Sequence, residues 1–162
     1  MSSHPVRVRR AVIEDLETIV AFNQSMAEET EGKKLEATTV TEGVRAALAD
    51  PDRSLYFVAE VGGKLAGQTM VTLEWSDWRN GFFWWIQSVF VDPASRRRGV
   101  FRALHEHIRN LARAQEDVCG LRLYVHGDNR RAIETYRRLG MGLTDYLLCE
   151  EEWSPRQRDA AS

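Results

Sequence analysis

Apolar and basic residues alternate from Val6 to Arg9, the period-two pattern of an opening strand. Leu16, Ile19, Val20, Asn23 and Ala27 then recur at helical spacing and predict a first helix ending in Glu28-Glu29. The polar stretch from Thr30 to Thr39 reads as a loop, and Thr41 is the expected cap of a second helix running to Leu48. Asp50-Pro51-Asp52 stops it. Ser54 to Val61 is strand-like, Gly62-Gly63 is a hairpin turn, and Leu65 to Trp75 is the return strand. Turn formers and two tryptophans follow, ending in Asn80-Gly81. Phe82 to Val91 is a long run of aromatic and β-branched residues, which predicts a central strand terminated by Asp92-Pro93. Beyond Gly99, Val100, Leu104, Ile108 and Leu111 mark an amphipathic helix reaching about Glu116. Leu121 to Val125 reads as a strand, Asn129 to Leu139 as a helix and Gly142 to Cys149 as a last strand.

The order is β-α-α-β-β-β-α-β-α-β, without repeats or a linker. It predicts one domain over residues 6–149, followed by a polar tail over 150–162. The central strand, basic loop and helix resemble part of a βαβ unit, where ligands gather at the carboxyl ends of strands.

Composition narrows the class. The chain has 162 residues, 43% of them apolar and 28% charged, enough for a sizeable core and too apolar for disorder. No run of about 18 apolar residues exists to span a membrane, and Met1 to Arg10 lacks the apolar segment of a secretory signal. Cys119 and Cys149 cannot staple a scaffold and lack metal-ligand spacing, so they are expected to be small buried hydrophobes in a reducing, cytoplasmic setting. His105 and His107, two apart on a helix, face different directions and make no metal site.

Charge adds an asymmetry. Residues 96–138 hold eleven arginines and five acidic residues, while the whole chain carries a net charge of −2. A basic half on a weakly acidic chain suits a compact polyanion better than a nucleic-acid backbone. Arg96-Arg97-Arg98-Gly99 lies between a buried strand and a helix start, where unpaired backbone N–H groups and the helix dipole favour an anion. Gly99 lets a phosphate approach the backbone, and Arg102 adds a donor one turn later. A loop of solvated arginines is the competing reading.

The stretch Val89-Phe90-Val91-Asp92-Pro93 with Arg96-Arg97-Arg98-Gly99-Val100-Phe101 resembles the cofactor motif of the GNAT superfamily of N-acyltransferases, Gln/Arg-x-x-Gly-x-Gly/Ala. Arg96 and Gly99 match it, and Phe101 stands in place of the final small residue. Asn129 followed by Ala132, Tyr136 and Arg137-Arg138-Leu139-Gly140-Met141 is similar to the family's asparagine-to-tyrosine helix. The resemblance implies an α+β fold in three layers, a twisted mixed sheet of about six to seven strands flanked by about four helices. It implies acetyl-CoA as cosubstrate and no metal. The backbone of Val89, Phe90 and Val91 would bind the acyl carbonyl and pantetheine arm beside a bulge. The backbone of residues 97–102, with Arg97, Arg98, Gly99, Val100, Phe101 and Arg102, would bind the pyrophosphate. Asn129 would meet the pantetheine or start its helix, and Tyr136 would sit near the thioester sulfur.

Acyl transfer to an amine needs a neutral nucleophile, an oxyanion donor and an acid for the leaving thiolate. An alkylammonium of pKa about 10.4 is neutral in only ~1 part in 2,500 at pH 7. Strand N–H groups can hold the oxyanion, and the Tyr136 phenol suits the thiolate. Several family members carry a glutamate two residues before the first carbonyl-binding position, where this chain has Gln87, which cannot ionise. Glu74 and Asp77 are substitute candidates for the base, and Glu28 and Glu29 could recruit a cationic amine. His126 is a further candidate contact on the cofactor side. Trp84 and Trp85 must face opposite sides of their strand, one set core and the other lining an acceptor cleft or a homodimer contact.

The expectation is an acetyl-CoA-dependent N-acetyltransferase acting on a small-molecule or protein amine. The alternative is a CoA-binding sensor or interaction domain without chemistry, favoured by Gln87.

Overall fold

The computed structural model describes residues 5–153. The chain divides into two compact units, Met1–Tyr124 and Val125–Ser162.

In the first unit, strands β1 (Val6–Arg10), β2 (Leu55–Val61), β3 (Lys64–Ser76), β4 (Gly81–Val91) and β5 (Val118–Leu123) lie in one sheet in chain order. The first four pair antiparallel, and β5 joins β4 in parallel. A parallel neighbour requires a crossover. The helix α3 (Val100–Arg113) supplies it and buries Val100, Leu104, Ile108 and Ala112 with Phe57, Val71, Trp84 and Ile86. Helices α1 (Leu16–Glu31) and α2 (Ala37–Ala49) form a second cluster, in which Leu16, Ile19, Val44 and Ala47 meet Tyr56 and Val58. Tyr56 and Phe57 are neighbours on β2 yet belong to different clusters, as strand alternation requires. The sheet is therefore filled on both faces.

The second unit contains α4 (Arg130–Arg138), capped by Asn129, whose side chain accepts from the Ala132 N–H at 3.0 Å. Residues 142–149, expected as a strand, form no ladder, and Tyr146 and Leu147 are exposed. Among the described residues the sheet has five strands, fewer than the six to seven expected, and the α+β class stands.

Three local differences have physical causes. The α2 cap is Glu36 rather than Thr41: its carboxylate accepts from the N–H groups of Thr38 and Thr39 at 2.9 and 2.6 Å. The Thr39 hydroxyl, which donates to the same carboxylate at 2.7 Å, together with those N–H bonds holds the Glu36 carboxyl down at about 2. Strand β5 starts three residues earlier than alternation suggested, because Gly120 belongs inside it. A Cβ on Gly120 would lie 2.8 Å from the Phe83 ring. Cys119 and Cys149 are exposed free thiols rather than buried hydrophobes.

Candidate active site

The middle of β4 is bent by one extra residue. Met70 pairs with Gln87 and Gln68 with Phe90, so Ser88 and Val89 together oppose Thr69. Ser88 adopts φ 51°, a left-handed conformation uncommon for a residue with a side chain. The bulge reverses which face each residue presents. Ahead of it Trp84 and Ile86 pack toward α3; beyond it Val89 and Val91 do so. Phe90 turns to the opposite face and meets Phe22 of α1, with ring centres 5.1 Å apart.

A bulge leaves strand carbonyls without ladder partners, and β3 side chains supply them. Thr69 Oγ1 donates to the Gln87 carbonyl at 3.1 Å, and Gln68 Nε2 reaches the Ser88 carbonyl at 3.4 Å. The shorter bond from Gln68 Nε2 goes to Asn23 Oδ1 at 2.8 Å. Asn23 Nδ2 in turn donates to Tyr56 Oη at 3.3 Å, and the Tyr56 hydroxyl also bonds the Ser88 side chain. Burial raises the Tyr56 phenol above its usual 10.0, against a smaller opposing effect of those two bonds, so it is neutral at pH 7. All members of this chain are uncharged. Gln68 Oε1, fully buried, has no hydrogen-bond partner among the described residues, a deficit of about 1–3 kcal/mol for an unpaired buried group.

Beside this network lies a cavity of about 190 Å³, open to solvent and lined by residues of α1, α2, β2, β3 and the bulge. Sequence reading missed Asn23, Tyr56 and Gln68 as a group. Asn23 falls on the helical stripe of α1, which is the one signal that could have found it.

The parallel partner of β4 ends early. The last pair is Ile86 with Leu123, whereas β4 continues to Val91. From Gln87 onward that edge of β4 has no strand partner among the described residues. Beyond Val91 a short 3-10 helix, Pro93–Ser95, leads into a basic turn in which Arg97 and Gly99 both take left-handed conformations, φ 64° and 76°. Gly99 is the N-cap of α3. A Cβ built on it meets nothing within 4 Å, so the backbone faces open space of the kind a phosphate would fill. Gly67 allows α3 this close: a Cβ there would lie 2.9 Å from both the Phe90 carbonyl and Val100 Cγ1. These residues fit an anionic cosubstrate.

The predicted side chains are not all free to meet it. Arg96 donates through Nε to the Val91 carbonyl at 3.1 Å and pairs with Glu29. Arg102 pairs with Glu106 at 2.8 Å, while Arg97 and Arg98 are exposed. Phe101 turns toward His105, ring centres 6.1 Å apart. Gln87 Nε2 donates to Thr72 Oγ1 at 2.6 Å, on the same sheet face as Met70. Glu74 pairs in register with Phe83, five residues before the bulge. Its carboxylate accepts from Arg122 at 2.6 Å and from Trp85 Nε1 at 2.8 Å. Asp77 turns back onto the Trp78 N–H, and His126 is exposed. Trp84 is core, whereas Trp85 stacks on Tyr124 at 4.4 Å. In the second unit, burial raises the Tyr136 phenol above its usual 10.0.

The model of the acetyltransferase (GNAT) family matches residues 15–141. A possible acetyltransferase from Clostridium difficile 630 is 45% identical, with a TM-score of 0.86 over 92% of this chain and 98% of that one. A predicted acetyltransferase from Clostridium acetobutylicum, solved with acetyl-CoA, is 18% identical, with a TM-score of 0.73 over 91% and 96% of the two chains. Glucosamine-6-phosphate N-acetyltransferase from Arabidopsis thaliana is 18% identical, with a TM-score of 0.70 over 91% and 98%. No curated protein matches the chain significantly.

Proposed function

The chain belongs to the acetyltransferase (GNAT) family, and from that premise we propose that it transfers the acetyl group of acetyl-CoA to a primary amine by direct attack on the thioester. The observation that carries this reading is the break in β4. A bulge at Ser88 lies next to a strand edge left unpaired beyond Ile86, and that edge leads into the left-handed turn at Arg97 and Gly99.

An unpaired strand edge offers backbone N–H and C=O groups in an extended row, which suits an amide-bearing pantetheine arm. In this reading the edge from Val89 to Val91 holds that arm and the acyl carbonyl. The N–H groups of residues 97–102 and the open space at Gly99 take the pyrophosphate. A strand N–H fixed before the reaction stabilises the oxyanion without reorganising. The amine nitrogen attacks the carbonyl carbon, the C–S bond breaks, and the thiolate takes a proton.

Tyr136 is the proposed acid. Its raised phenol keeps its proton at neutral pH and can give it to the thiolate. Gln87 is the proposed partner of the attacking amine or of a water that relays its proton. With Nε2 engaged by Thr72, its Oε1 is the acceptor. Glu74, already paired with Arg122, is assigned no proton transfer.

The same Gln87–Thr72 bond supports a second reading, a CoA-binding sensor without turnover, because an amide cannot take a proton. Calorimetric binding of acetyl-CoA combined with thiol release over a panel of amines separates the two. Binding with amine-dependent thiol release is the expected result; binding with none for any amine leaves the sensor.

A further inference from the structure

We propose that the cavity beside the bulge selects the acceptor, and that the acceptor is a monoamine with a compact, uncharged and largely apolar body. The proposal rests on the acetyl-transfer reading and names the substrate class for it.

Size is the first argument. The cavity measures about 190 Å³ and is open to solvent on one side; an enclosed space of roughly 150 Å³ accommodates a benzene ring. The cavity holds about six to eight non-hydrogen atoms, the eight of leucinamide other than its amine nitrogen, which must lie outside at the thioester.

The chemistry of the wall is the second. Val40, Val44, Ala47 and Met70 supply its apolar part, and Asn23, Tyr56 and Ser88 its polar part. Among the described residues no carboxylate and no cation lines it. A second ammonium buried here would have no counter-charge, and neither would a carboxylate. Placing an unpaired charge against this apolar wall is unfavourable, so diamines and free amino acids are disfavoured.

The hydrogen-bond order is the third. Gln68 Nε2 fixes Asn23 by donating to Oδ1, which turns Asn23 Nδ2 toward Tyr56. A chain anchored by two amides has no site that can accept a proton from an ammonium. The network orients a neutral polar group of the acceptor and leaves its amine to arrive unprotonated. Weakly basic amines gain from this: an α-amino group of pKa about 7.7–8.0 is neutral in roughly one part in ten at pH 7. An α-amine whose carboxyl is blocked as an amide, carrying a short aliphatic side chain, meets all three conditions. Gln68 acts here as a positioning residue for Asn23.

The test measures kcat/KM by thiol release from acetyl-CoA with leucinamide, leucine and putrescine. Leucinamide is expected to exceed both others by about 100-fold or more. Asn23→Asp, which keeps the shape and can still accept from Gln68 and Tyr56, is expected to narrow the gap to putrescine by at least about tenfold. Val44→Phe, which fills the cavity, is expected to raise the leucinamide KM at least about tenfold with unchanged acetyl-CoA affinity. A wild-type preference for putrescine or free leucine overturns the acceptor class and leaves acetyl transfer standing. An unchanged KM in a folded Val44→Phe protein overturns the cavity's role. Acetyl-CoA binding without thiol release for any amine overturns the transfer reading itself, and the acceptor class with it.

Discussion

Glu29 and Arg96, 67 positions apart in sequence, tie the end of α1 to the segment leaving β4. Arg96 Nη2 donates to both Glu29 oxygens, at 3.0 and 2.7 Å, while Nε holds the Val91 carbonyl at 3.1 Å. The guanidinium also lies 5.8 Å from the centre of the Phe90 ring. Both charged groups are well exposed, so the pair itself contributes only about 0–1 kcal/mol. Its larger consequence is electrostatic: a carboxylate neutralises one arginine of the basic turn. Glu29→Gln is expected to leave stability within about 1 kcal/mol and to tighten acetyl-CoA binding a few-fold at low salt. The gain should fade at high ionic strength, where exposed charges are screened over a few ångströms. Calorimetric titrations at two salt concentrations check this; equal dissociation constants at low salt would detach Arg96 from the phosphates.

Gly99 separates conformation from space. Its φ of 76° disfavours any side chain, and the space around its missing Cβ is open. Left-handed backbone costs an ordinary residue about 1–2 kcal/mol, and Asn tolerates it better than Val. Gly99→Asn is therefore expected to fold with a modest loss of melting temperature. It should nonetheless bind acetyl-CoA at least about tenfold more weakly, or roughly 1.4 kcal/mol, because its side chain enters the space assigned to phosphate. Normal affinity in folded Gly99→Asn removes the phosphate assignment; a loss confined to Val would point to strain instead.

Periodicity made the helices and the central strand legible. Val100, Leu104 and Ile108 repeat every four residues and are the face that α3 buries. The turn at Arg97–Gly99 was legible too, since a glycine between a strand end and a helix start has few other uses. The bulge beside Val89–Val91 was expected from the family resemblance and not from the pattern: the run Phe82–Val91 contains no glycine or proline to mark Ser88, and the residues that support it, Gln68 and Asn23, come from distant segments. Alternation alone would have kept the same parity to Val91. Gly120 misled because a breaker by composition is here a contact surface for Phe83. The segment 142–149 has strand-forming residues, but those do not by themselves provide a paired edge.

His105 and Asp15 contribute to the acid side of the stability profile in separate windows, beside His107, which burial also lowers, and the Glu36 carboxyl. His105 on α3 is 1% exposed. Burial, aided by the Arg109 charge and opposed by Glu106, pushes it down from 6.5 to about 4. The unfolded chain takes up this proton between those values and the folded chain does not, so stability falls as pH drops from about 6.5 to 4. The full effect is about 3 kcal/mol. Asp15 acts lower. Burial pushes its carboxyl up, but bonds from Arg9 and the Val12 N–H, with the Arg9 charge, outweigh that and hold it below 3.8. Its contribution is complete above the unfolded value and is lost as pH falls through the folded one. Urea unfolding as a function of pH is expected to show a decline between 6.5 and 4 that His105→Met makes shallower, the lowered His107 still contributing. A steeper loss below pH 4 should remain in that variant and diminish in Asp15→Asn. An unchanged slope in His105→Met would show that this histidine titrates normally.

Tyr136 gives the sharpest test of the chemistry. Phe at this position keeps the ring and its packing and deletes the hydroxyl alone. If the phenol protonates the departing thiolate, kcat should fall about 10²-fold or more while the acetyl-CoA dissociation constant stays nearly constant. Because burial holds the phenol above 10.0, its deprotonation should not limit the wild-type rate at any pH below that. A purely structural tyrosine predicts the reverse, a lower melting temperature and near-normal turnover. Single-turnover mixing with a competent amine isolates the chemical step from product release, which could otherwise mask the loss. A Tyr136→Phe protein within threefold of wild type in that measurement would exclude the hydroxyl as an essential acid and leave solvent to protonate the thiolate.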